Sequence, residues 1–165
     1  MHRQIYFCKS WFAAKKIPTE VWTEVQARAA HNAGRNYTVL IDSPNKPFAA
    51  ITVSKNAMLV DFLDKHLRPA LSYQFQPVSL ERYFVTMAVY REYDGDTDKV
   101  ITGSTYIFKS DGEVKIRREL FVPLHKIEES ATRADVAVNY SNAPRFGAYD
   151  DFLIIERTAL HPQKD

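Results

Sequence analysis

The 165-residue chain contains one cysteine, which rules out an intramolecular disulfide and any CxxC metal or redox pair. Cys8 closes the short apolar run Ile5–Cys8, where a lone thiol acts as a small buried hydrophobe, and its isolation fits a reducing compartment. No stretch reaches 18 uninterrupted apolar residues, so no membrane-spanning helix is expected. The opening MHRQIYFCKSWF lacks both the apolar core and the small-residue cleavage site of a signal peptide, and a cytoplasmic protein is expected. Catalytic signatures are missing as well. His2, His31, His66, His125 and His161 form no HxH or HExxH pair, and there is no GxSxG elbow, Walker A loop or GxGxxG fingerprint. A general base needs no motif, so these absences lower the odds of an enzyme without excluding one. The expectation is a chain that is not an enzyme and that holds neither cofactor nor metal.

Hydrophobic residues make up 45% and aromatics 13%, which argues against disorder and for one globular domain over residues 1–165. Net charge is +2 but unevenly spread: residues 1–80 carry +5 and residues 81–165 carry −3. Direct nucleic-acid binding would favour a clearly basic domain, whereas this distribution suits a partner with patches of both signs.

Along the chain, residues 3–8 read as a strand. In PTEVWTEVQARAAHNAG, Val21, Trp22, Val25 and Ala29 recur at helical spacing, with Pro18 in the first turn and Gly34 closing the C-terminus. His31 falls near that helix end, where its charge would favour the dipole. Residues 36–43 and 47–54 read as strands. Ser54 or Asn56 is expected to cap a second helix with an apolar stripe of Leu59, Val60, Leu63 and Leu67, bounded near His66 and ended by Pro69. After residue 80 the period becomes two. Residues 82–93, 99–109, 113–122 and 151–158 read as strands, the first three as a meander. Early helices and late strands predict an α+β fold: a mainly antiparallel twisted sheet with two helices from the N-terminal half on one face.

The stretch REYDGDTDKVITGSTYIFKSDGEV holds two Asp-Gly turns. An EF-hand loop starting at Asp94 would place Asp96 and Asp98 well, but it has Lys99 where glycine is needed and Thr105 where a bidentate Glu is needed. EF-hand chemistry is excluded; a looser cation site at the three aspartates remains an alternative. The favoured reading is a pair of hairpin turns, the acidic residues Glu92, Asp94, Asp96 and Asp98 also offering a charged docking edge.

Two arginines break the alternation. Arg91 falls in phase with Tyr83, Val85, Met87 and Val89, and Arg118 with Val114, Ile116, Leu120 and Val122. A charge on an apolar face must be paired, lie at an edge, or face a partner. Glu92 and Glu156 are the expected carboxylate partners, a bulge that shifts the register is the alternative, and a polar cluster or pocket of Arg91, Arg118 and Glu156 is the functional reading. A further candidate lies in NYSNAPRFGAYDD, where Tyr140, Arg145, Phe146 and Tyr149 stand among small residues as recognition surfaces arrange their anchors. The alternative there is a loop whose aromatics cover the sheet.

The segments SWFAAKKIPTEVW, RNYTVLID, VDFLDKHLRPALSYQFQPV and REYDGDTDKVITGSTYIFKSDG resemble, over roughly residues 10–157, a family of small bacterial cytosolic proteins: the immunity proteins of polymorphic or contact-dependent growth inhibition toxin systems. The resemblance implies a stoichiometric inhibitor that binds the C-terminal domain of a cognate toxin, a nuclease, and blocks its active site. It carries over no catalytic residue. Nuclease inhibitors are commonly acidic and this chain is slightly basic, so the acidic half would have to do that work. Two rivals stand beside it: a small-molecule-binding or enzymatic domain with a pocket lined by Tyr83, Met87, Tyr106 and Arg118, and a homodimer or adaptor using an exposed sheet edge.

Overall fold

The computed structural model describes residues 2–157. Its strands are β1 (Ile5–Phe12), β2 (Ile17–Trp22), β3 (Tyr37–Ile41), β4 (Ala49–Ser54), β5 (Ala57–Leu63), β6 (Pro69–Pro77), β7 (Arg82–Tyr93), β8 (Val100–Phe108), β9 (Glu113–Leu120), β10 (Lys126–Arg133) and β11 (Tyr140–Asn142). All join one antiparallel sheet. From β3 to β10 it is a plain meander; at the other end β1 lies between β2 and β3, and β11 pairs with the start of β7. One helix, α1 (Glu24–Asn32), carries the chain from β2 to β3 across β1. No helix among the described residues is long and apolar enough to cross a membrane.

The antiparallel sheet agrees with expectation; the two helices do not. Residues 54–69 form β5, a tight turn and the start of β6 instead of a helix. Leu59, Val60 and Leu63 fit a helical stripe, but Met58, Val60 and Phe62 are buried in strict alternation, and period two wins because the neighbouring strands complete the row. The turn is fixed by Asp64, whose carboxylate accepts from the amides of His66 and Arg68, and by Leu67 at φ 59°. The remaining helix starts later than expected. Pro18 belongs to β2, an edge strand where the missing N–H costs nothing, and Thr23 opens α1 through a capping box with Gln26. The helix buries Ala27 and Ala30, while Val25 is exposed. Residues 151–157 form no strand; Asp150–Phe152 make a short 3-10 helix, and Thr158 lies outside the described residues.

One row of side chains shows how the core is built. Trp22, Phe7, Val39, Ile51, Val60, Tyr73, Ala88, Tyr106, Ile116 and Ser130 face one another across ten strands. The rows flanking it add Tyr37, Met58, Phe75, Phe62 and Leu71 on the same face. A nine-residue helix cannot cover this expanse, and the C-terminal segment does the rest. Phe152 packs edge-on to Phe75 at 5.0 Å, and Tyr73 donates to the Ile155 carbonyl while accepting from the Arg157 amide. The Arg157 guanidinium is buried over Phe75 and donates to the carbonyls of Val138, Tyr140 and Asp151. Between the β11 and β8 stretches of β7, the Val85 carbonyl is met by the buried Asn139 side chain at 3.2 Å.

Phe75 is fully buried between Tyr73, Phe152 and Arg157. Phe75→Ala should therefore cost about 3–5 kcal/mol in denaturant unfolding at unchanged m-value. Asp96→Ala, on the exposed turn, should stay within about 0.5 kcal/mol of the parent.

Candidate functional site

The acidic turn joins β7 to β8 and is built from the backbone outward. The Asp94 amide donates to the Lys99 carbonyl at 2.9 Å, and Thr97 returns its amide and hydroxyl to the Asp94 carbonyl. Arg68, from the β5–β6 turn, donates to the carbonyls of Gly95 and Thr97 at 2.8 and 2.6 Å while lying over the Tyr93 ring. The turn is thus gripped by its carbonyls, and Glu92, Asp94, Asp96 and Asp98 are all exposed. Asp98 accepts from Lys16 Nζ at 2.8 Å, which ties the tip of the β1–β2 hairpin to this turn. Among the described residues no three His, Cys, Asp or Glu side chains converge to hold a metal, so the aspartates form no cation cage.

The aromatics of the loop over residues 139–151 point inward. Tyr149 is buried, its hydroxyl 2.9 Å from that of Tyr37, which meets His31 Nδ1 at 2.9 Å. Burial, then the Arg28 charge, holds His31 below its ordinary value. Phe146 stacks on Phe7 at 5.2 Å, and the Arg28 guanidinium lies over the Phe146 ring, 4.4 Å from its centroid. Tyr140 packs on Phe84 beneath Arg82. Arg145 alone of the four is exposed. The loop is cover for the sheet, and the surface it presents is Arg145 and its small neighbours.

Arg91, Arg118 and Glu156 are not brought together. A register shift between Gln74 and Phe75 changes the phase of β7: Val85 faces the core opposite Phe75, and farther on Ala88 and Tyr90 do so. Met87, Val89 and Arg91 consequently fall on the outer face. There Arg91 donates to Ser72 Oγ at 2.9 Å and to the Pro69 carbonyl, and Ser72 in turn donates to Asp61. Arg118 is exposed in a row between Ser104 and Glu128, and Glu156 belongs to the C-terminal segment. The expected pocket of Tyr83, Met87, Tyr106 and Arg118 does not form, since Tyr106 is core, Met87 faces outward and Arg118 is in solvent.

What the structure adds is an uncovered wing. Past the Tyr106 row, β8, β9 and β10 extend beyond the core with charges on both faces. One face carries Glu92, Thr102, Leu120 and Lys126 in a row, and beside it Tyr90, Ser104, Arg118 and Glu128. The other carries Thr105, Arg117 and Glu129, with Ile107 and Ile127 nearly half exposed. All eight residues of β10 are exposed, and it ends the sheet. Sequence reading missed β10, because KIEESATR alternates weakly and carries no aromatic. Compared with protein-family models, with curated proteins and with solved structures, the chain has no match.

Asp61 and Asp64 make a pH test of this end of the sheet. Burial raises Asp61 above its ordinary value, only partly offset by the Ser72 hydroxyl and the Arg91 charge. Burial also acts on Asp64, but the amides of Arg68 and His66 and the Arg68 guanidinium outweigh it and hold Asp64 low. A carboxylate raised in the fold loses native stability as pH rises past its unfolded value, whereas a depressed one loses it as pH falls below that value. Between about pH 2 and pH 7, the stability of wild type relative to Asp61→Asn should therefore fall as pH rises from about 4, while that relative to Asp64→Asn should rise up to about pH 4 and then level off. Urea unfolding of the three proteins across that range checks the opposite signs.

Proposed function

We propose that the chain is a binding module that neutralises the C-terminal domain of a cognate bacterial toxin, the immunity role its sequence resemblance implies, acting as a stoichiometric cytoplasmic partner. The observation that carries this reading is β10, a terminal strand exposed along its whole length with no strand beside its outer edge among the described residues. An open edge invites uncontrolled pairing, and proteins keep one uncovered where a partner adds a strand or lies across the sheet. Charge supports a basic partner. Glu92, Asp94 and Asp96 on the β7 side, with Glu128 and Glu129 on β10, give one end of the wing a set of exposed carboxylates. A nuclease domain, whose site must hold phosphates, is drawn to such a patch. Pairing of β10 with its own copy in full antiparallel register would set Lys126 against Arg133 at both ends, which disfavours a homodimer through this edge.

The test is capture of the tagged chain from its source lysate, followed by assay of what binds. A single near-stoichiometric partner is expected, a toxin domain whose activity is lost on adding an equimolar amount of the chain. Glu128→Lys with Glu129→Lys, and separately Asp94→Lys with Asp96→Lys, should weaken that complex by about tenfold or more while shifting stability by no more than about 0.5 kcal/mol. Recovery of the chain alone, or of a partner whose activity it leaves intact, overturns the proposal.

A further inference from the structure

The C-terminal end of α1, the β4–β5 turn, the β6–β7 turn and the step at Ala143 and Pro144 enclose an open cleft of about 870 Å³. Sites for small organic ligands usually span about 300–1,000 Å³. The lining contains Arg35 and Lys55 and no Asp or Glu. Neither cation has an ion-pair partner among the described residues, although Lys16, Arg28, Arg68 and Lys109 all do. The Lys55 stem runs past Gly34, 3.5 Å from where a Cβ there would stand, so the two cations share a wall. A Cβ at position 34 would only touch that stem, and it is the φ of +67° that suits glycine there.

The opposite wall is apolar and oddly exposed. Leu80 is 99% exposed and Val78 is 52% exposed on a turn that begins at Pro77. Tyr83, at 7% exposure, lines the cleft, and its hydroxyl meets no hydrogen-bond partner among the described residues. His31 is already engaged through Nδ1 with Tyr37. Glu81, next in the chain to Leu80, is not part of the lining. An unpaired double cation, a spare phenol donor and an exposed apolar wall in one concavity are complementary to a ligand that is charged at one end and greasy at the other.

We propose that this cleft binds a small amphipathic organic anion, with its carboxylate, phosphate or sulfonate held by Arg35 and Lys55 and its apolar or aromatic body against Val78, Leu80 and Tyr83. The site lies at the end of β7 opposite the acidic turn, about 35 Å away at the usual rise of a strand, and is independent of the partner surface.

The probe is 1-anilinonaphthalene-8-sulfonate, an aromatic anion, titrated by fluorescence into the folded full chain at low salt. Saturable one-to-one binding is expected, with amide shifts at Gly34, Lys55 and Leu80 in a parallel NMR titration. Phenyl phosphate should compete, and inorganic phosphate or phenol should compete at least about tenfold more weakly, because each keeps only one half of the recognition. Arg35→Glu with Lys55→Glu should weaken the probe by about tenfold or more, and Leu80→Asp should also weaken it. These positions are exposed, and far-UV circular dichroism and unfolding midpoints will show the variants folded. Absence of saturable binding, shifts that map elsewhere, or affinity untouched by the charge reversal would sink the proposal.

Discussion

The structure depends on covering one face of a single long sheet. A sheet with one apolar face is stable only when another layer lies against it, and here the aromatic row from Trp22 to Tyr106 is far wider than α1. The C-terminal segment makes up the difference, and it is held by polar contacts as well as by packing. Tyr73 is the pivot: its ring lies in the core between Phe62 and Phe75, and its hydroxyl takes both the Ile155 carbonyl and the Arg157 amide. Arg157 then ties together the carbonyls of Val138, Tyr140 and Asp151. Removing either side chain would free the cover as well as empty a place in the core.

That arrangement explains where binding surfaces can exist. The aromatic face is covered by the chain's own Phe152 and Tyr149, which pack on Phe75 and meet Tyr37. Two places the cover does not reach are the wing of β8–β10 and the cleft between α1 and the β6–β7 turn. Buried charge follows the same economy. Burial pushes the Arg157 guanidinium down from its ordinary value, with Tyr73 and Asp151 offsetting part of that, so it is tolerated as a connector rather than a driving force. On the outer face Asp61, Ser72 and Arg91 satisfy one another beside the Trp11, Cys8, Leu40 and Ala50 cluster.

How much of this could be read from the chain follows from the range of each interaction. The strands β3, β4, β7, β8 and β9 are legible because alternation and Asp-Gly turns are local signals, and Gly112 at φ 94° does what that turn requires. The β5–β6 hairpin was ambiguous, since Leu59, Val60 and Leu63 satisfy both periods; only the row to Ile51 and Tyr73 decides it. For α1 a local signal was available, Thr23 three residues before Gln26, and Pro18 drew the start away from it. The partners of Arg91 and Asp98 were out of reach. Ser72 is 19 residues from Arg91, Lys16 is 82 from Asp98, and no local pattern announces either. For Phe146 and Tyr149 the chain alone left two readings open, because recognition anchors and core anchors are the same residue types, and the fold takes the sheet-covering one.

The uneven charge of the sequence acquires a spatial meaning in the fold. The net +5 of residues 1–80 includes Arg35 and Lys55 at the cleft, and the net −3 of residues 81–165 includes the carboxylates of the β7–β8 turn and β10. Strand β7 separates them by about 35 Å, several times the screening length of about 8 Å at physiological ionic strength. Each end therefore presents its own potential to an approaching molecule, and the overall +2 describes neither. A slightly basic chain can draw a basic partner to one end and an anion to the other, because steering depends on the local field.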